Sequence, residues 1–361
     1  MTHSHTTGSL VVKALVLLIA GALLFAPFLF QDVRSVEVAA RICIFVVLVA
    51  SYDLLIGYTG IVSFAHTMFF GFGAYGAAIA LKEMGNGWGS VLVGTAAGIA
   101  LSLALAVAIG LLSLRVKAIF FAMITLAAAS VALVLASQLS QLTGGEDGIT
   151  YRTPDIFKTV TKLMTDADGK VLRIAGVRMN GKLAAYYFVF FTSLALFIVM
   201  LRITASPLGT VLKAIRENEA RAEAIGYRVV SYRTFVFCIT AVIASLAGSI
   251  YAIWLKYTGP ETALSFDIMI DILLMVVIGG MGTMWGAVIG ATLMVLAQYY
   301  LRDLMGSASE ALSGLPLLPD ILSPDRWLLW LGIVFILLVY FFPKGIAGTI
   351  MDRGMDRGAR T

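Results

Sequence analysis

Charged side chains are scarce in this sequence: Asp, Glu, Lys and Arg together make 13% of its 361 residues, about half of what a soluble domain carries. That scarcity excludes a water-exposed surface for most of the chain, and the apolar runs leave no sizeable soluble domain between them. Histidine is nearly absent, with three in all, and His3 and His5 stand in the first few residues. A membrane enzyme would want histidines and carboxylates, or a nucleophile with its base, gathered at one boundary, and a lone internal His66 does not supply that. The two cysteines, Cys43 and Cys238, each lie inside an apolar run, so neither a disulfide framework nor a thiolate metal site is indicated. A Walker A sequence is missing too. Gly169-Lys170 and Gly181-Lys182 lack the Ser or Thr that would follow, so the chain carries no ATPase of its own. No metal and no cofactor is expected.

What fills the chain instead is hydrocarbon. Hydrophobic types make 60% of the residues and the mean hydropathy is +0.94. Runs of about 20 apolar residues, enough to cross roughly 30 Å of bilayer as helices, recur from end to end. Spans are expected at 11–30, 38–56, 62–81, 90–113, 118–138, 184–202, 234–256, 266–281, 285–300 and 327–343. The fold class is therefore an all-α polytopic membrane protein of about ten transmembrane helices. The first run, 11–30, is longer than a signal-peptide core and ends in Pro27-Phe28, so it is read as a retained span. A net charge of +5 does not point to nucleic acid, because the bases sit between the spans, where membrane topology places them.

Two polar stretches, 140–182 and 203–233, separate five spans (11–138) from five (184–343). An odd number of spans per half inverts the second copy, so the division suggests two inverted five-helix repeats in a single permease domain over 1–361. A bare count of Lys and Arg on the two sides is a tie, and the short loops decide. The Arg115/Lys117 turn and 203–233 are dense in bases, whereas 259–267 carries only acids. Both termini are thus expected in the cytoplasm, with 203–233 and the tail 344–361 on that side and 140–182 in the periplasm.

Glycine clusters mark places where helices come close or break. Gly71-Phe-Gly-Ala-Tyr-Gly76 matches the dinucleotide fingerprint in letters alone: no strand precedes it, and no acid follows about 20 residues on, so close helix packing explains it better. The segment 279–290, with Gly279, Gly280, Gly282, Gly286 and Gly290, is expected to be re-entrant or broken. The segment 206–226 has a different character. Ser206 is placed to cap a helix with Pro207 at its first position and Gly226 to end it. Leu208, Val211, Leu212, Ile215, Ala222 and Ile225 fall on one face, and charges fall mostly on the other, with Lys213/Glu217 and Glu217/Arg221 four apart. It is either an interfacial connector or a docking element for a soluble partner.

That segment resembles the coupling region of ABC importer permeases, in which a Glu-Ala-Ala-like stretch and a following Gly seat against the ATPase. The rest of the chain resembles the branched-chain amino acid permease family, LivM-type subunit. The resemblance rests on Asp53-Leu-Leu-Ile-Gly-Tyr-Thr-Gly-Ile-Val-Ser-Phe-Ala-His66, on Gly71 to Gly76, on Thr143-Gly-Gly-Glu-Asp-Gly148 and on Ala214-Ile-Arg-Glu-Asn-Glu219. It continues through Asp271-Ile-Leu-Leu-Met-Val-Val-Ile-Gly-Gly-Met-Gly282 and Phe341-Phe-Pro-Lys-Gly345, in the family's order. Asp53 and Asp271 depart from the pattern, which has Asn or Glu there. The resemblance implies a bacterial inner-membrane subunit that works with a second homologous permease, two ATP-binding subunits and a periplasmic substrate-binding protein. It places Ala214, Arg216, Glu217, Asn218, Glu219, Ala224 and Gly226 at the ATPase contact. It leaves branched-chain amino acids, urea or short amides as cargo.

For the translocation pathway, charges and polar groups within spans single out Asp53, Tyr58, His66 and Asp271, with Gly71, Gly73, Gly279, Gly280 and Gly282 as space-makers. Asp53 reaching the headgroups at a helix end, and His66 bonding a neighbouring helix, are the plainer alternatives. An ion-coupled secondary transporter is the competing class. It would need several ionisable groups converging at the midplane, and few are present.

Overall fold

A computed structural model describes residues 4–30, 32–113, 118–159, 161–162, 173–174, 177–311 and 323–358. The Arg115/Lys117 turn, Gly169-Lys170, Arg360 and part of 140–182 lie outside them. The long helices are α1 (Ser4–Leu29), α2 (Val33–Thr59), α3 (His66–Glu83), α4 (Trp88–Ser113) and α5 (Ala118–Gln138). After the one-turn α6 (Ser140–Thr143) come α7 (Gly181–Ala205), α8 (Pro207–Glu217), α9 (Glu219–Ala224) and α10 (Val229–Leu255). The chain continues with the one-turn α11 (Pro260–Ala263), then α12 (Phe266–Gly279), α13 (Met284–Ala311), α14 (Trp327–Phe341) and α15 (Gly345–Gly358). Sheet is confined to β1 (Ile149–Thr150) with β4 (Tyr257–Thr258) and β2 (Arg173–Ile174) with β3 (Val177–Arg178), both antiparallel.

Among the described residues, nine helical segments are long and apolar enough to cross a membrane. The fold is polytopic and all-α. The first span, Leu10–Leu29, falls within a residue of the expected 11–30, although α1 itself begins at Ser4, while α13 runs to Ala311 rather than 300. The segment expected as the third span is α3, which begins at His66 and is not one of the nine. Its surroundings give the reason. Most of α3 is buried against other helices, so it needs no continuous lipid-facing apolar surface and tolerates Gly, Thr and His. The segment expected as the eighth span, 266–281, is the one helix α12, preceded by the one-turn α11.

By its internal contacts the chain divides into two units, 22–272 and the segments 1–21 with 273–361. In the first, α3 lies between α10 and α4, and α2 packs on α10 and α7. Glycine sets these distances. A Cβ on Gly73 would overlap the Ser245 carbonyl of α10, and one on Gly248 would overlap the Phe70 carbonyl of α3. Across that contact Ser249 Oγ donates to the Gly73 carbonyl at 3.0 Å. On the other side of α3, Gly76 and Gly94 of α4 each occupy the space the other's side chain would need. The outer faces of α4 and α5 show Leu92, Leu101, Ile119 and Met123 outward, as lipid-facing helices do.

In the second unit, Gly279 at the end of α12 faces Gly286 of α13, and Gly290 faces the Met275 carbonyl. The chain reverses at Gly280, whose φ of +112° suits glycine. The turn leading into α15 packs on this reversal, because a Cβ on Gly345 would overlap the Gly280 backbone.

Gly248→Ala is expected to destabilise the chain by about 1–3 kcal/mol, since the added methyl meets backbone that has nowhere to go. Gly21→Ala, where the methyl enters open space, is the control. Thermal unfolding in detergent checks both: the first lowers the midpoint and the second leaves it unchanged.

Candidate functional site

The segment 206–226 folds as two helices rather than one. Asn218 takes an extended conformation between α8 and α9, its N–H closes α8 on the Ala214 carbonyl, and its Oδ1 accepts from the Arg221 N–H at 2.9 Å to start α9. Asparagine caps as well as serine, and its short amide competes for nearby backbone, so a break is favoured there. Pro207 holds the first position of α8, but Ser206 does not cap it. Its hydroxyl donates backward to the Ile203 carbonyl at 2.7 Å. Past α9, the N–H groups of Tyr227 and Gly226 return to the carbonyls of Ala222 and Glu223, with Gly226 at φ +98°. This is a Schellman ending, and it calls for glycine at that position.

The expected apolar face is real except at its end. Leu212, Ile215 and Ala222 are buried and pack with Val229 at the start of α10, against Val211 and Tyr232. Ile225 does not join them and is 67% exposed. The expected i,i+4 ion pairs do not form either: the break at Asn218 separates Glu217 from Arg221, and Lys213 turns to α2 instead. The Arg216 guanidinium donates to the Gly57 carbonyl. That carbonyl is in the last turn of α2, where acceptors lack helical donors and a cation is favoured. The Lys213 ammonium lies 5.1 Å from the centre of the Tyr58 ring. Glu219 pairs with Arg233 of α10 at 2.8 Å. The segment is therefore clamped from behind to α2 and α10, while Glu217, Asn218, Ala224, Ile225 and Gly226 face outward and Ala214 is half-buried.

Of the pathway candidates, Asp53 is 1% exposed inside α2, which overturns the reading that it reaches the headgroups. His66 is fully buried at the start of α3, and its Nε2 lies 2.8 Å from Ser51 Oγ. Because the Ser51 hydroxyl donates to the Leu48 carbonyl, Nε2 is the donor in the pair and carries the proton. The His66 ring meets Tyr52 edge-on at 5.2 Å. The linker 60–65 between α2 and α3 is not helical, and two of its amides are met by hydroxyls, Phe64 N–H by Thr125 Oγ1 of α5 and Ala65 N–H by Ser63 Oγ. Gly71 and Gly73 are filled by Leu264 and Ser245, and Gly279 by Gly286. Asp271 is half-buried on α12, and Gly280 and Gly282 form the turn after it. Among the described residues, no three His, Cys, Asp or Glu converge as metal ligands would.

The other end of α10 carries a latch. β4 pairs with β1, the Tyr151 hydroxyl bonds the Ala252 carbonyl and Thr258 Oγ1 at 2.9 Å each, and Tyr257 donates to the Asp147 carbonyl at 3.1 Å. Trp88, Phe157 and Phe188 cluster beside it. There Lys158 hydrogen-bonds Asp155 and, with its charge and a bond from Asn86, holds that carboxyl below the usual range. α10 has 27 residues, so the latch and the 206–226 segment stand about 40 Å apart along it.

Over residues 35–339 the chain matches the family model of the branched-chain amino acid transport system, permease component. The chain belongs to that family. Its relatives include the high-affinity branched-chain amino acid transport system permease proteins LivM of Salmonella typhimurium, 26% identical over 81% of this chain and 69% of the relative, and of Escherichia coli, 25% identical over 87% and 75%. A probable permease LivM of Methanocaldococcus jannaschii is 26% identical over 65% and 61%. No solved structure matches the chain. Within this branched-chain permease, sequence reading missed Ser51 as the partner of His66 and Arg233 as the partner of Glu219. A short polar stretch, Ser51-Tyr52-Asp53, amid the apolar run of α2 was the signal for the first, and the second had none.

Arg216→Ala removes the donor from the end of α2 and is expected to loosen α8 by about 1–2 kcal/mol. Hydrogen exchange should quicken over 207–217 and remain unchanged in α13.

Proposed function

We propose that this permease is one membrane subunit of an ATP-driven importer for branched-chain amino acids or close relatives, and that α8 and α9 seat an ATP-binding subunit. The carrying observation is the division of labour in 206–226. One side is clamped to α2 and α10 by Arg216, Glu219 and a buried apolar patch. The other leaves Glu217, Ala224, Ile225 and Gly226 in the open. An apolar isoleucine at the tip of a charged, backbone-anchored projection suits a groove on a soluble partner.

The clamp also suggests how work is passed on. A partner that moves α8 pulls on the end of α2 through Arg216 and on the start of α10 through Glu219 and Arg233. Of these two helices, α10 packs along α3, and α2 carries the buried Asp53 and, against His66 at the start of α3, Ser51. Asp53, Tyr58, His66, Asp271 and the glycines at 71, 73, 279, 280 and 282 are proposed to line or flank the route. Opening it requires the glycine-mediated contacts to slide or part, which small residues permit.

In this reading 206–226 and both termini face the cytoplasm of a bacterial inner membrane, and the 140–182 loop, whose Ile149–Tyr151 stretch forms the latch, faces the periplasm, where a substrate-binding protein delivers cargo. A second homologous permease completes the membrane part.

The test is to purify the tagged chain from its native membrane in mild detergent and identify what accompanies it. ATP-binding subunits and a second permease are expected with wild type, and ATP-binding subunit recovery should fall at least about tenfold for Glu217→Arg or Ile225→Asp. Recovery of the chain alone, or only with itself, would contradict the proposal.

A further inference from the structure

Pro27 interrupts the hydrogen-bond ladder of α1, since proline has no N–H to give the Leu23 carbonyl one turn back. Tyr186 of α7 supplies the missing donor to Leu23, and Tyr187 donates to the Leu24 carbonyl at 3.1 Å. These bonds bring the start of α7 against the end of α1. Between that junction and the start of α2 the structure leaves a cavity of about 470 Å³. Its wall is apolar, made by Pro27, Phe30, Val33, Val36 and Leu183. Its rim is basic, made by Arg178 and Lys182, with Asn180 and Thr159 as further polar groups. Neither cation makes an ion pair among the described residues. Asp32 is the one acid on the rim. It stands at the N-terminus of α2, where a carboxylate is favoured in its own right, and the cations remain in excess.

The level of the cavity identifies its occupant. Three apolar spans, Leu10–Leu29, Val33–Thr59 and Gly181–Ala205, end or begin at it, so its rim lies where hydrocarbon gives way to headgroups. Lys182 also faces Lys256 at the end of α10, whose ammonium is pushed down first by burial and then by that neighbour. This end of the unit thus gathers positive charge above an apolar groove. A soluble anion would use the rim and waste the wall, and a neutral lipid would use the wall and leave the cations unanswered. We propose that this cavity binds one anionic phospholipid, its phosphate between Arg178 and Lys182 and an acyl chain along Phe30, Val33 and Leu183. An Arg fork suits phosphate oxygens, and basic pockets between spans are where acidic headgroups gather.

The full chain in detergent, given equal mole fractions of phosphatidylglycerol and phosphatidylcholine, provides the test, with bound lipid counted by native mass spectrometry. Wild type should retain phosphatidylglycerol in preference, and the preference should fall about fivefold for each cation removed in Arg178→Gln and Arg178→Gln/Lys182→Gln. Arg221→Gln/Arg228→Gln, a matched loss of charge elsewhere, should leave it unchanged. If the double variant fails to fold, as read by gel filtration, the single variant gives the same reading as one fivefold step. Equal retention of the two lipids by wild type, an undiminished preference in the variants, or displacement by glycerol phosphate at the lipid's own concentration would overturn the assignment.

Discussion

Within a bilayer a helix gains little by burying leucine against leucine, because lipid tails are as apolar as the side chains they replace. What holds α3 between α10 and α4 is therefore how closely the backbones approach, with Gly73 and Gly248 interlocked with carbonyls on one side and Gly76 with Gly94 on the other. The rest of the first unit follows from that contact. It places His66 beside Ser51, buries the non-helical linker 60–65 where Thr125 and Ser63 satisfy two of its amides, and sets α10 as the post to which both the projection and the latch are fastened.

The second requirement of the membrane is that no backbone group be left bare, and the chain meets it with side chains from distant elements. Tyr186 answers the carbonyl that Pro27 frees, and Arg216 answers one at the end of α2. Each closure also ties two elements together, so satisfying a carbonyl becomes a mechanical linkage. The Arg216 bond matters most for function, because it joins an outward-facing charged segment to the helix that carries the buried polar residues.

Much of this was legible in the sequence. Apolar runs of bilayer length gave the polytopic helical class, and the lack of a preceding strand and of an acid about 20 residues on favoured close packing at Gly71 to Gly76, which the contacts of Gly71, Gly73 and Gly76 bear out. The amphipathic stripe from Leu212 to Ala222 was visible in its period. What escaped notice has a common cause. Asn218 breaks the helix because its amide caps a new one, yet the period of 3.6 runs smoothly through it, so spacing alone read one helix and a buried Ile225. Ser206 looked like a cap, but a hydroxyl can donate to the turn behind as readily as accept from the turn ahead. The bonds of Arg216 to Gly57 and of Tyr186 to Leu23 span well over a hundred residues, and no local pattern signals them.

The central claim is that the outward side of α8 and α9 is covered by a nucleotide-binding subunit. A photo-crosslinking residue placed at position 225 of the tagged chain, irradiated in native membranes, tests it most directly, with position 333 on a lipid-facing stretch of α14 as reference. The account predicts an adduct with an ATP-binding subunit from 225 and none from 333. No protein adduct from 225, or an adduct only with a second copy of this chain, would contradict it.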